Sequence, residues 1–129
     1  MTNGEKKQAA EYTIKLITKL IQLNFIDMDG DWTRLGRAHT NRCVNSRFFQ
    51  FTSSKWAHME DPESLRFHLL DGDCIWLCDS EDEWSWCSIN EPGNTFERWI
   101  DMVNITSDKL QISLKPDLET FDDDDLLDI

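Results

Sequence analysis

The sequence predicts an α+β fold. One small domain over residues 1–116 would carry a mainly antiparallel sheet and about three packed helices, with an acidic tail over 117–129. Three observations predict it. Two stretches, 6–25 and 94–103, repeat apolar residues at helical spacing; a Trp- and Cys-rich stretch alternates as a hairpin about an acidic turn; and 129 residues suit one core. A chain of this size buries roughly two-thirds of its unfolded surface.

Taking the elements in order, Ala10, Ile14, Ile17 and Ile21 recur at helical spacing, and Leu16, Leu20 and Leu23 widen the stripe. Glu11, Lys15, Thr18, Lys19 and Gln22 share the opposite side. An apolar arc that wide is expected to lie on a sheet. Residues 26–46 read as irregular. Asp27-Met28-Asp29-Gly30-Asp31 fails as a calcium loop, because the turn glycine would have to be Trp32 and the bidentate acid Ala38.

Arg47 to Thr52, rich in Phe, reads as a strand. A short helix then runs to Leu70, with Asp61 as its cap and Pro62 at its first position; Asp71-Gly72-Asp73 ends it. Cys74–Cys78 and Trp84–Ile89 form the hairpin. Pairing Asp79 with Trp84 would put Ile75, Leu77, Trp84 and Trp86 on one face. Asn94 and Glu97 resemble a capping box for a helix to Val103, with Phe96, Trp99, Ile100 and Val103 on one side. Leu110, Ile112 and Leu114 alternate as a last strand. The expected structural centre is Trp76, Trp86, Phe96, Trp99 and Ile100.

Composition narrows the class. The longest uncharged runs are seven residues, so no membrane span or signal core is expected. Without export the four cysteines are expected to be reduced, in a cytoplasmic, intracellular protein, and Asn104-Ile105-Thr106 is discounted as a glycosylation site. Cys74, Cys78 and Cys87, with His68 or Cys43, have zinc-ligand chemistry. Cys74 and Cys78 lie roughly 13 Å apart at strand rise, which opposes a shared ion. Cys43, His39, His58 and His68 supply nucleophile and base types, but no nucleophile elbow, phosphate loop or metalloprotease helix accompanies them. No catalytic, cofactor or metal site is expected.

Charge is segregated. Net charge is −12, yet Trp32 to Met59 holds five bases and no acid: Arg34, Arg37, Arg42, Arg47 and Lys55. Asp71 to Glu91 holds seven acids and no base, and so does Asp117 to Ile129. Such blocks are commonly solvated faces; their functional weight lies in steering partners. The tail threads Leu118, Phe121, Leu126, Leu127 and Ile129 through its acids. Acidic segments studded with apolar residues stay disordered alone and order on basic grooves with apolar pockets. Phe121-Asp122-Asp123-Asp124-Asp125-Leu126-Leu127-Asp128-Ile129 resembles the acidic C-terminal tips of bacterial and phage single-stranded DNA-binding proteins. The resemblance covers nine residues and implies recruitment of replication and repair enzymes. The remainder opens on a long helix and has no OB-type strand pattern.

The expected function is non-enzymatic. An acidic surface would bind and modulate or inhibit a nucleic-acid-handling protein of phage or bacterial type: a nuclease, a restriction or CRISPR complex, or RNA polymerase. Its carboxylates would stand in for phosphates on the partner's basic surface. The expected contacts are Asp79, Glu81, Asp82, Glu83 and Trp84, with Phe121, Asp122, Asp123, Asp124, Asp125, Leu126 and Leu127. The second reading is a nucleic-acid-binding accessory using Arg34, Arg37, Arg42, Arg47, Lys55 and Trp56, with the tail as recruiter or internal competitor. The third is an enzyme with an unrecognised site. No membrane partner is expected.

Overall fold

The computed structural model describes residues 1–27, 31–44 and 61–114. Its elements are α1 (Asn3–Gln22), α2 (Arg34–Val44), α3 (Pro62–Leu70), β1 (Ile75–Cys78), β2 (Trp84–Cys87) and α4 (Phe96–Lys109). The fold is α+β, with four helices and one two-stranded antiparallel sheet among the described residues. The strand expected at 47–52 and the tail from 117 lie outside them.

α1 starts three residues before the expected position because Thr2 and Glu5 form a reciprocal capping box. The Glu5 N–H donates to Thr2 Oγ1 at 3.1 Å, and the Thr2 N–H to Glu5 Oε1 at 2.9 Å. Its apolar side is the one the periodicity marked: Ala9, Ala10, Ile14, Leu16, Ile17 and Leu20 are buried. That side packs on helices α3 and α4 instead of a sheet.

Three helices end by the same device. After α1, α3 and α4 the chain steps through Asn24 (φ 62°), Gly72 (φ 99°) and Gln111 (φ 57°). In each case the next N–H reaches back to a carbonyl of the last turn: Phe25 to Leu20, Asp73 to His68 and Ile112 to Ser107, at 2.9, 3.0 and 2.9 Å. This Schellman geometry satisfies carbonyls that a helix end leaves open. It also corrects the strand expected at Leu110–Leu114. Leu110 and Ile112 are buried residues of the α4 terminus, not strand residues. Apolar residues two apart fit both patterns.

α2 occupies a stretch expected to be irregular. Thr33 starts it, its Oγ1 accepting from the Gly36 N–H at 3.0 Å and donating to the Asn24 carbonyl at 2.6 Å. An isolated bridge, Ile26 to Trp32, folds the chain back so that α2 sits against the end of α1. A Cβ on Gly36 would lie 1.9 Å from the Phe25 carbonyl oxygen, so only glycine allows this approach. The His39 ring stacks on Phe25 at 4.3 Å, and its Nε2 meets the Leu110 carbonyl at 2.6 Å.

α3 forms as expected, with Asp61 accepting from the Glu63 N–H at 3.1 Å and Pro62 in the first turn. Arg66 ties α3 to α1 through Glu11 and bonds Glu63 at 2.9 Å, which holds the Glu11 carboxyl below its ordinary pKa.

The hairpin differs from expectation by one residue in register. Cys78 pairs with Trp84, Leu77 with Ser85, Trp76 with Trp86 and Ile75 with Cys87. A one-residue slip exchanges faces. Ile75, Leu77, Ser85 and Cys87 therefore share one side, and Trp76, Cys78, Trp84 and Trp86 the other. β1's other edge is covered by α4, where Thr106 Oγ1 accepts the Cys78 N–H at 2.9 Å.

α4 is capped by Thr95, not Asn94, with the Arg98 N–H donating to its Oγ1 at 3.1 Å. Asn94 is buried and its Nδ2 donates to the Ser88 carbonyl at 2.9 Å. The buried side of α4 is Trp99, Met102, Val103, Thr106 and Ser107, turned from the one expected. Trp99 is fully buried, and its Nε1 donates to Thr13 Oγ1 at 2.8 Å. Thr13 in turn donates to the Ala9 carbonyl at 2.7 Å. The expected centre thus holds at Trp99 alone: Trp76, Phe96 and Ile100 are half-buried, and Trp86 is 42% exposed.

Candidate functional site

The acidic loop is a built turn. The Asp82 N–H donates to the Asp79 carbonyl at 3.0 Å, and Asp82 then takes φ 67°, the left-handed residue of a three-residue hairpin. Asp79 braces it from inside. Its Oδ1 accepts the N–H groups of Glu81 and Glu83 at 2.9 and 3.0 Å. Asp82 is paired with Lys109, at the far end of α4, which holds its carboxyl below the ordinary value.

Of the four acids expected to meet a partner, then, two shape the tip and two are presented. Glu81 and Glu83 are exposed and have no salt bridge to another described residue. Directly behind them stands an aromatic face. Trp84 is half-buried, Trp86 is exposed, and Trp76 meets Trp86 edge to face at 5.3 Å. Trp86 belongs to this site and escaped the sequence reasoning, which put it in the core. Lys109 escaped too, since its partner lies 27 residues away.

The described part of the basic block forms a second surface. Arg34, Arg37 and Arg42 are all exposed and, at helical pitch, fall within about 140° of one another on α2. None has a salt bridge to another described residue. Leu35, half exposed, borders them. Arg47, Lys55, Trp56 and tail residues Phe121–Leu127 lie outside the described residues.

The structure does bring a Cys–His pair together. Cys43 Sγ lies 3.5 Å from His39 Nε2. That nitrogen also faces the Leu110 carbonyl at 2.6 Å, a contact that requires the nitrogen to carry the proton. It is then unable to accept one from the thiol, and it is the His39–Leu110 bond, not the Cys43 contact within α2, that fastens the helix to the end of α4. His68 meets buried Asp73 at 3.2 Å, across the closing turn of α3. All four cysteines are free thiols. Burial pushes the Cys78 thiol up to about 11, and burial raises Cys87 as well, so both stay protonated and poorly nucleophilic at neutral pH. Among the described residues no cluster of three His, Cys, Asp or Glu could hold a metal.

A groove of about 580 Å³ lies between α1 and the end of α4, lined by Tyr12, Lys15, Asn104, Asp108 and residues 111–114. Tyr12 spans its floor, donating to Asn104 Oδ1. No described helix is long and apolar enough to cross a membrane. No family model, curated protein or solved structure matches the chain.

Proposed function

We propose that the protein is a non-catalytic binding module whose hairpin grips a basic surface on another protein. The observation that carries this is the braced tip. Two carboxylates without an ion pair among the described residues, Glu81 and Glu83, stand on a turn fixed by Asp79 and Lys109, next to exposed Trp86. A fixed turn reduces the ordering cost of binding, acids speed encounter with a basic patch, and Trp is enriched among the residues that anchor interfaces. Basic surfaces of this kind characterise nucleic-acid-handling enzymes, and carboxylates at fixed spacing substitute there for phosphates. The free thiols suit a reducing, intracellular setting.

The test is affinity capture from the native host with three full-length baits: wild type, E81Q/E83Q and W86A. A protein retained by wild type and lost from both variants supports the proposal. Equal recovery on all three removes the hairpin from consideration.

A second reading, direct binding of nucleic acid, draws on the α2 arginines, which carry no acid among them. Mobility shift of single- and double-stranded DNA by wild type, by a chain ending at Pro116 and by R34Q/R37Q/R42Q decides it: no shift by either of the first two removes this reading.

A further inference from the structure

The groove between α1 and the closing turn of α4 is lined by two opposite charges that do not pair with each other. Tyr12 and Lys15, three apart on α1, line it with Asn104 and Asp108, four apart on α4, so each helix lends it one row of side chains. Lys15 and Asp108 are exposed, and neither has an ion pair among the described residues. The Lys15 ammonium lies 5.8 Å from the centre of the Tyr12 ring. Lys109, the cation of the last turn of α4, is engaged by Asp82 instead.

The groove is preformed. The Tyr12 hydroxyl donates to Asn104 Oδ1, which ties the two helices across its floor. The turn at Gln111 (φ 57°) and the bond from the Ile112 N–H to the Ser107 carbonyl, at 2.9 Å, fix the wall beyond α4. With Asn104 Oδ1 taken, Nδ2 is the amide group left to donate. The last carbonyls of α4 carry partial negative charge, which adds to that of Asp108. The lining also offers apolar surface, from the Tyr12 ring, Ile112 and half-buried Leu114. A volume of about 580 Å³ falls within the ~300–1,000 Å³ of small-molecule sites.

We propose that this groove binds a free α-amino acid with an apolar side chain. Lys15 and Asn104 Nδ2 hold the carboxylate, Asp108 holds the ammonium at the negative end of α4, and the side chain lies against Tyr12, Ile112 and Leu114. A ligand with one charge engages one of the two protein charges, and an internal peptide residue engages neither. The free zwitterion engages both. Both protein charges are solvated, so each contributes modestly and the dissociation constant is on the order of millimolar. This inference does not depend on the hairpin reading.

The experiment is an amide NMR titration of the full chain with L-phenylalanine and L-leucine. Two controls, 3-phenylpropionate and 2-phenylethylamine, keep the ring and lack one charge each. The amino acids should give saturable shifts centred on Tyr12, Lys15, Asn104, Asp108 and Ile112. Each control should bind about fivefold or more weakly than phenylalanine. Lys15→Gln and Asp108→Asn, at exposed positions without an ion pair among the described residues, should each weaken phenylalanine by a similar factor. Lys15→Gln should leave phenylethylamine binding unchanged, and Asp108→Asn should leave phenylpropionate binding unchanged. Absence of a saturable shift with both amino acids overturns the proposal, as do shifts centred on another surface. Controls or variants that bind as tightly as phenylalanine binds wild type overturn it too, since the groove is then an apolar cleft that does not read the zwitterion.

Discussion

Gly36→Ala sets two effects of opposite sign against each other. Alanine is the better helix former by about 1 kcal/mol, which on propensity alone would stabilise α2. The structure reverses the sign. The new Cβ would sit 1.9 Å from the Phe25 carbonyl oxygen and 2.7 Å from both its carbon and Trp32 Cε3. These are mostly backbone obstacles, and ordinary contact starts at 3.4 Å. α2 must therefore move outward by roughly 1.5 Å, an overpacking strain that typically costs about 1–3 kcal/mol. That movement also loosens the His39–Leu110 hydrogen bond and the His39–Phe25 stack, each worth about 1 kcal/mol. The net expectation is a loss of about 1–4 kcal/mol. Urea unfolding followed by far-UV circular dichroism measures it. Gly4→Ala is the control, because its nearest neighbour would be Thr2 Oγ1 at 4.0 Å; it should be neutral or mildly stabilising. If Gly36→Ala is as stable as wild type or more so, α2 does not approach Phe25 this closely, and the placement of the arginine face is wrong.

Trp99→Ala removes a fully buried indole and its bond to Thr13, and should cost about 3–5 kcal/mol by thermal or urea unfolding; a loss below about 1 kcal/mol would show that α4 does not use this face. Stability should fall as pH rises from about 9 toward 11, because the unfolded Cys78 thiol ionises near 9.0 while the folded one holds its proton to about 11. Cys78→Ala should flatten that slope, and an unchanged slope would show that the thiol is not buried. Arg66→Gln breaks the tie between α3 and α1, but both partner carboxylates, Glu11 and Glu63, are exposed, so only a small loss of stability that added salt diminishes is expected in urea unfolding, and a large loss insensitive to salt would mean that the pair is sequestered from solvent.

How much was legible in the sequence depended on which interaction decides each element. α1 and α3 follow local pattern, α1 through its apolar periodicity and α3 through the Asp61 cap, while the Thr2–Glu5 box sets the start of α1 three residues earlier than that periodicity indicates. α2 could not. Its residues form no apolar stripe, and it is held by a glycine approach to Phe25 and a histidine stack, both tertiary facts. The hairpin was visible and its register was not, because the left-handed position is filled by Asp82 where glycine is the usual signal. Gln111 hid the end of α4 in the same way. For the candidate site, the charge blocks were plain in the chain. The division of labour within the acidic loop was not. That Asp79 and Asp82 shape the tip while Glu81 and Glu83 face outward follows from hydrogen bonds and from Lys109. The exposure of Trp86 follows from the register.

The central claim is that the hairpin binds a basic protein surface, with charge setting encounter and tryptophan setting residence. The most direct measurement is binding kinetics at two salt concentrations, against the host protein that wild type captures and the hairpin variants do not. E81Q/E83Q should slow association and flatten its salt dependence, with dissociation little changed. W86A should speed dissociation by tenfold or more, the effect of losing roughly 1.4 kcal/mol or more at an anchor, with association little changed. If neither variant alters either rate constant, the braced tip is only solvated surface and the claim fails.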